Sequence, residues 1–283
     1  MLEHQTETRA PGVLRRLRPR TRLIAARNAW RDARTRAAFR RYARRGLALE
    51  GPRPGEIPVI ICMWRRPERL APILDMLEGQ VGAGTLRLYI WNNDATRDAE
   101  YRAVLAGRSA AGALAGTVVH SSRRNIGGAA RFLLARAVAR AGYRGPMVLI
   151  DDDEQVQDDF VARLLAAWSP RTYAGVWAWR IHGDYWNRTR AAHGEQATYV
   201  GTGGAVVDSD VLGDDDLIRQ LPLKRLFLED IWLSAFAARN GCALRAVDAP
   251  FEFTDPEGDQ WHALAARKSE FFDELGRPGL LPL

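Results

Sequence analysis

Residues 146–156 read PMVLIDDDEQV, an apolar run that ends in four consecutive acids, Asp151, Asp152, Asp153 and Glu154. Like charges packed this closely repel, so the run needs a chemical reason. Residues two apart on an extended chain point to the same side. Asp151 and Asp153 are therefore expected to converge while Asp152 points away. Two converging carboxylates are stable beside a divalent cation. Mn²⁺ and Mg²⁺ take oxygen ligands and commonly share one or two carboxylates with substrate phosphates. The chemistry open to this pair is metal-assisted work on a phosphate group. The competing reading is a solvated loop whose charge favours the dipole of the next helix. Asp158 and Asp159 already stand at that helix start, which leaves the upstream triple available for a site. A second triple, Asp214, Asp215 and Asp216, follows Gly213 and opens DDLIRQL. It reads as a loop and a helix cap.

Carboxylates at a strand end make a site only in a particular architecture. IPVIICMW is a short apolar run with strand character, and RRPERLAPILDMLEG follows with a helical period and a glycine stop. LRLYIW is a second strand, followed by NNDATRD, and GTVVHS is a third. NIGGAARFLLARAVARAG is expected to open a helix at Asn125 and close it near Gly142. PMVLI is a fourth strand, and DDFVARLLAAW a helix with Asp158 as its N-cap. Strands alternating with helices predict an α/β fold with a doubly wound, mostly parallel sheet. Ligands of such sheets bind beyond the carboxyl ends of the strands, which is where the acids from Asp151 onward sit. The second half is less regular. AGVWAWRIH and ATYVGTGGAVVD read as strands, LEDIWLSAFAARNG as a helix closed by Gly241, and CALRAVDAPFEF as a last strand region. A loop and a short amphipathic helix complete the chain.

The composition fits this scheme. The chain has 283 residues, 47% hydrophobic and 27% charged, enough for a sizeable globular core. Its two cysteines, Cys62 and Cys242, form neither a disulfide framework nor a metal-ligand spacing, and read as buried thiols in a reducing compartment. No stretch reaches about 18 apolar residues, and the N-terminus lacks the apolar core of a secretory signal. A cytoplasmic location is expected. The net charge of +7 is concentrated at one end: residues 1–50 carry fourteen arginines against four acids, and the remainder is slightly acidic. From about Val13 to Leu49 arginine and alanine favour a helix, with a narrow apolar stripe at Leu23, Ala26, Trp30, Ala33 and Ala37. GPRPGE at 51–56 breaks it. The expected organisation is an Arg-rich helical extension over 1–50 and a main domain over 51–283. The extension could pack on its own domain or remain solvated, lie against an anionic membrane, or bind nucleic acid, in that order of preference.

With these segments in view, the sequence resembles the GT-A glycosyltransferases and is most similar to family 2. The resemblance runs over about residues 57 to 261. IPVIICMWRRPERLAPILDML resembles the first strand and helix of the family, with Arg66, Pro67 and Leu70 matching and Arg65 where Asn is usual. LRLYIWNNDATRD resembles the second strand and its turn, with Asn92 where an Asp commonly meets the nucleotide base. NIGGAARF resembles the Asn-x-Gly segment, VLIDDDEQV the Asp-x-Asp motif, GTGGAVV the Gly-rich acceptor-side strand, and LEDIWLSAFAARNG the Glu-Asp motif. Singly these motifs are weak; six in order are specific.

The resemblance implies a GT-A (nucleotide-diphospho-sugar transferase) fold, with a mixed, mostly parallel central sheet flanked by helices and an N-terminal helical extension. It implies metal-dependent transfer of a sugar from a nucleotide-sugar donor, a UDP-sugar first, to a hydroxyl on a saccharide or lipid-linked acceptor, in building a surface polysaccharide or glycolipid. Asp151 would lie near the ribose and diphosphate, and Asp151 and Asp153 would hold Mn²⁺ or Mg²⁺. Arg66, Asn92, Asn93 and Asn125 would line the donor site. Asp230 would be the general base of an inverting transfer, and Glu229 would bind the acceptor or orient that base. His262 falls where some members place a late metal-binding histidine.

Each of these residues also has a plainer reading. Glu229 and Asp230 are acids in a first helical turn, where acids are common. Arg66 and Arg131 could pair surface charges. Asn125 could cap its helix, and Gly127 and Gly128 could allow close packing on the sheet. Gly203 and Gly204 more readily admit a substrate or a neighbouring backbone. Trp177 and Trp179 read first as core, with an acceptor role for them, Tyr185 and Trp186 as the alternative. Two other functions stay open: a nucleotidyltransferase, although MWRRPERL lacks the Gly-rich, Lys-containing loop, and a binding protein that uses its basic leader on nucleic acid.

Overall fold

The computed structural model describes residues 19–254 and 261–276. Its elements in chain order are α1 (Pro19–Arg45), β1 (Glu56–Met63), α2 (Leu70–Glu78), β2 (Thr85–Asn92), α3 (Asp98–Ala106), β3 (Leu114–Ser121), α4 (Ala130–Arg140), β4 (Pro146–Asp151), β5 (Glu154–Val156), α5 (Phe160–Ala166), β6 (Thr172–Gly175), β7 (Ala178–Ile181), β8 (Arg188–Arg190), β9 (Tyr199–Val200), β10 (Ala205–Asp208), α6 (Ser209–Leu212), α7 (Asp215–Arg219), α8 (Glu229–Arg239), β11 (Ala243–Ala246), β12 (Phe251–Phe253) and α9 (Trp261–Glu274).

Seven strands form the central sheet in the order β11-β6-β10-β4-β1-β2-β3. Strands β1, β2, β3 and β4 run parallel, as do β6 and β11, while β10 is antiparallel to both its neighbours. The expected mixed, mostly parallel α/β sheet is what the chain forms. Its strands are nearly unbroken apolar runs because both faces are covered. Alternate side chains divide between two cores. Ile60, Tyr89 and Leu149 join Phe132 and Leu133 of α4 on one face. Val59, Ile61, Leu88, Ile90, Val148 and Ile150 join Ile73 and Leu77 of α2 and Phe160 and Leu164 of α5 on the other.

The reversal of β10 brings distant segments to one edge of the sheet. Ala205 pairs with Leu149 on one side and with Gly175 on the other. The turn before β10 (Gly201, Thr202, Gly203, Gly204) therefore arrives beside Asp151, at the carboxyl edge of β4, and the residues after β6 leave from the same edge. Two small sheets, β12-β5 and β8-β7-β9, stand beyond that edge.

Several local expectations change. AGVWAWRIH is split between β6 of the main sheet and β7 of a small one, and ATYVGTGGAVVD between β9 and β10. The helix expected from Asn125 begins at Ala130; the Asn125 Oδ1 instead accepts from the Gly127 N–H at 2.8 Å and closes a turn ahead of it. Helix α5 begins at Phe160 with Asp159 at its N-cap and no side-chain capping bond, so Asp158 is not its cap. Asp214 does cap α7, accepting from the Asp216 N–H, as the plain reading of the second triple required.

The chain divides into two compact units inside α1, between Arg34 and Thr35. In the first unit Ile24 and Trp30 are exposed, and the Arg34 guanidinium lies 4.3 Å from the Trp30 ring. In the second, Ala38 and Phe39 are buried in the larger core. Among the described residues no helix is long and apolar enough to cross a membrane.

Candidate functional site

A cleft opens at the carboxyl edge of the sheet in two halves of about 440 Å³ and about 510 Å³. Asp151 and Asp153 line both, so the acidic run stands at their junction. The first half is lined by Trp64, Arg66, Asn93, Asn125 and Glu229, among others; the second by Trp177, Trp179, Tyr199, Asp230 and Lys268, among others. Most of the candidates drawn from sequence thus meet in one place.

The four acids at the strand end take four different environments. Asp151, the last residue of β4, accepts at Oδ1 from the Arg131 guanidinium at 2.7 Å. Asp152 turns back toward the end of β1, accepting from the Trp64 N–H at 3.3 Å and from Arg66 at 3.4 Å. Burial raises its pKa to about 7 even against the opposing charge of Arg66. Asp153 lies 3.6 Å from Arg66, and its carbonyl accepts from the Thr254 N–H at 2.8 Å. Glu154 is buried, and its Oε2 accepts from the Asp151 N–H at 3.1 Å. Burial first, then the neighbouring Asp151, hold its pKa well above the ordinary range. The repulsion within the run is thus partly answered from inside the protein, by Arg131, Arg66 and protonation, rather than wholly by a cation from outside.

Whether a cation fits can be tested on the donor set. Among the described residues no group of three or more His, Cys, Asp or Glu side chains is arranged to hold a metal ion. The pair Asp151 and Asp153 suits instead an ion that completes its shell with phosphate oxygens and water. Beside Asp151, the Glu154 Oε1 is a buried oxygen with no hydrogen-bond partner. The residues therefore fit a divalent cation shared with a ligand. The side chain of His262, the third expected ligand, lies outside the described residues.

Arg131 is neither a surface charge nor aimed at the cleft for a ligand alone. It is 3% exposed and joins Asp151 to Glu229, 3.6 Å from the latter, while donating to the carbonyls of Gly128 and Thr202. Glycine at 128 admits this arrangement, because a Cβ there would fall 1.7 Å from the Glu229 Oε1. A Cβ on Gly203 would fall 2.3 Å from the Glu154 Oε1 and 2.7 Å from the Asp151 Oδ2. Both glycines thus make room for carboxylates, not for the sheet or a neighbouring backbone.

Glu229 and Asp230 open α8 and face different halves of the cleft. Glu229 belongs to the first half. Burial holds its pKa well above the usual carboxylate range, with Arg131 opposing. Asp230 belongs to the second. Its Oδ2 accepts from the Tyr199 hydroxyl at 2.5 Å and from the Lys268 ammonium at 3.3 Å, and its Oδ1 from the Ile231 N–H at 2.8 Å. Burial would raise its pKa, but these donors outweigh burial and hold it below the usual value. Two adjacent carboxyls are thereby driven apart in acidity, a signature of divided roles.

The sign of the coupling gives a test. The folded-state pKa of Asp230 is depressed, so its contribution to stability holds above roughly pH 4 and is lost as pH falls through the folded value. That of Lys268 is raised, so its contribution holds below roughly pH 10 and is lost above. Lys268→Met removes the opposing charge and leaves Asp230 only the Tyr199 hydroxyl and the Ile231 N–H against burial. The acidic limb of the pH profile of kcat/KM is expected to move up by at least one pH unit. An unmoved limb in a folded variant would show that Lys268 does not govern Asp230.

The asparagines separate. Asn93 lines the first half, and its side chain also clasps the loop, accepting from the Trp91 indole and the Ile126 N–H. Asn125 lines it too. Asn92 is fully buried, with its amide on the Ser121 hydroxyl and its Oδ1 on the Asp94 N–H, and the structure does not bring it to the cleft. Trp177 and Trp179, read first as core, are half-buried and line the second half. Tyr199 and Lys268 were absent from the expected site. They lie 31 and 38 residues from Asp230 along the chain, beyond the reach of any local motif.

No family model matches the chain. Solved structures do. It is similar to the mannosyltransferase PcManGT of Pyrobaculum calidifontis, in complex with GDP-Man and Mn²⁺, at a TM-score of 0.55 and 14% identity over 92% of this chain and 77% of that one. It is also similar to residues 1–349 of S. aureus TarS in complex with UDP-GlcNAc, at a TM-score of 0.51 and 13% identity over 80% and 68%. The fold is that of the GT-A glycosyltransferases. At the level of sequence this GT-A chain is 36% identical over 107 residues to the galactofuranosyltransferase GlfT1 of Mycobacterium tuberculosis, a match over 38% of this chain and 32% of the relative. The GT-A architecture accounts for the geometry: the acids of β4, the turn before β10 and the first turn of α8 converge because each ends or begins at one sheet edge.

Proposed function

We propose that this chain is a metal-dependent, inverting glycosyltransferase of the family 2 type, acting on a nucleotide-sugar donor and a hydroxyl acceptor. The observation that carries the reading is the pairing of Glu229 and Asp230 across a divided cleft, with Glu229 on the half that holds Arg66 and Asn93 and Asp230 on the other. The first half would take the nucleoside diphosphate, with Arg66 near the phosphates. Asp151 and Asp153 would hold Mn²⁺ or Mg²⁺, which when bound offsets charge on the departing diphosphate. Asp230 would accept the proton of an acceptor hydroxyl as its oxygen bonds to the anomeric carbon. The bond to the diphosphate breaks on the opposite face, so the configuration inverts. Buried Tyr199 and Lys268 would keep Asp230 charged and oriented for that proton.

The similarity to a galactofuranosyltransferase and to structures holding UDP-GlcNAc and GDP-Man supports a sugar nucleotide as donor. A UDP-sugar is our first choice, with a saccharide or lipid-linked acceptor in surface polysaccharide or glycolipid synthesis. The basic α1, with Trp30 exposed, supports peripheral contact with an anionic membrane at the cytoplasmic face. A donor screen with Mn²⁺ and with chelator, reading released nucleoside diphosphate, tests the core of this reading. Metal-dependent release with one donor is expected; none with any common donor overturns it.

A further inference from the structure

The second half of the cleft holds more than a base. Trp177 stacks with Trp179, ring centroids 6.4 Å apart and planes within 15°, and with Phe253 at 5.8 Å and 19°. The three rings come from separate places: the exit of β6, strand β7, and β12, which pairs with β5. Phe253 is 45% exposed, so its ring is open to a ligand from the cleft side. Arg188 lies 4.5 Å from the Trp179 ring and 4.8 Å from Tyr185, fixing a fork of donors beside the aromatic wall. Asp151, Asp153, Glu154 and Asp230 line the same half, together with Arg188 and Lys268.

A peptide side chain has no use for so long an apolar wall set against so many acceptors. A sugar ring matches both: its C–H face is apolar and slightly positive and suits the negative face of an aromatic ring, while its edge carries hydroxyls for carboxylates and Arg188. We propose that the acceptor is a glycoside whose ring stacks on the wall formed by Trp177, Trp179 and Phe253, which presents its hydroxyl to Asp230. This inference rests on the functional reading above and narrows its acceptor to a saccharide, with any lipid lying beyond the ring rather than on the wall.

Saturation-transfer NMR tests it, with methyl and octyl glycosides of galactose, glucose and mannose as probes and octyl phosphate as the lipid-phosphate arm. UDP with Mn²⁺ is titrated separately. The wild-type protein is expected to transfer saturation to ring C–H protons of at least one methyl glycoside and not to octyl phosphate. Phe253→Ala, at an exposed position, and Trp179→Ala should each weaken that transfer at least fivefold. Trp179→Phe, which keeps a ring, should restore most of it, and UDP affinity should stay within twofold throughout. Equal transfer to octyl phosphate, no transfer to any glycoside, or glycoside binding indifferent to both alanine variants would overturn the proposal. If UDP fails to bind the wild type while ring-dependent glycoside binding persists, the transferase reading fails and the aromatic wall stands. If UDP binds and the wall variants change nothing, the wall alone fails.

Discussion

Asp230→Asn is expected to lower kcat about a thousandfold, on the order of 4 kcal/mol of transition-state stabilisation, while leaving UDP and Mn²⁺ affinity within a few-fold of wild type. The amide keeps the shape of the carboxylate but cannot accept the acceptor's proton. The first half of the cleft is lined by other side chains, Arg66, Asn93 and Asn125 among them. One secondary effect has to be separated. Lys268 donates to Asp230, and both side chains are largely withdrawn from solvent, at 12% and 16% exposure. Removing one partner of such a pair leaves the other charge poorly compensated and costs stability. The double variant Asp230→Asn with Lys268→Met is therefore expected to regain thermal stability without regaining turnover. Turnover near wild type in Asp230→Asn, measured as acceptor-dependent diphosphate release, would remove Asp230 from the mechanism.

Asp153→Ala should abolish the response to Mn²⁺ and reduce transfer at least a hundredfold, with the fold intact. Asp151 and Asp153 both border the two halves of the cleft, but they are not equivalent. Asp151 is tied to Arg131, which also reaches Glu229, so its loss would disturb a buried charge network. Asp153 has Arg66 as a neighbour, and Arg66 keeps Asp152 when Asp153 is gone. The loop from Trp64 to Arg69 stays anchored, because the Trp64 N–H and the Arg69 guanidinium both bond to Asp152. Titration calorimetry with Mn²⁺ in the presence of UDP measures the effect directly. Wild-type Mn²⁺ affinity in Asp153→Ala would place the cation elsewhere or remove it from the reaction.

The first half of the fold was legible because its strands are continuous apolar runs separated by helical periods, and such runs specify a covered parallel sheet. The acids after Ile150 were legible as a site for the same reason: topology puts a strand's carboxyl end where ligands bind. What lay beyond reach depends on contacts distant in sequence. Nothing in GTGGAVV states that β10 runs backwards and sets Gly203 against Glu154. Arg131 sits in a helix of alternating Arg and Ala, where its neighbours offer no sign that it alone is buried against two acids. Trp177 and Trp179 pass for core residues because a short apolar segment beyond the main sheet has the same composition as one inside it. One signal was present and unread. Of 41 basic residues only two are lysines, Lys224 and Lys268. In a chain that otherwise uses arginine for positive charge, a lysine points to a place where a compact ammonium on a slim stem is required, and Lys268 occupies such a place beside Asp230.

The position of that lysine has a consequence for the order in which the cleft acquires its charges. Asp230 and six of the seven strands of the main sheet come before α8 ends, and the seventh, β11, still precedes α9. As the polypeptide emerges during synthesis, sheet and cleft can assemble while Lys268 has yet to join them. In that interval Asp230 lacks its cation, and only the Tyr199 hydroxyl and the Ile231 N–H oppose the effect of burial on it. Docking of α9 then brings the Lys268 ammonium to Asp230 and completes the set of donors that lowers its pKa. The acidity of Asp230 is in this sense set late: a chain that has already built its sheet and cleft still waits for α9 to fix the charge of one residue inside it.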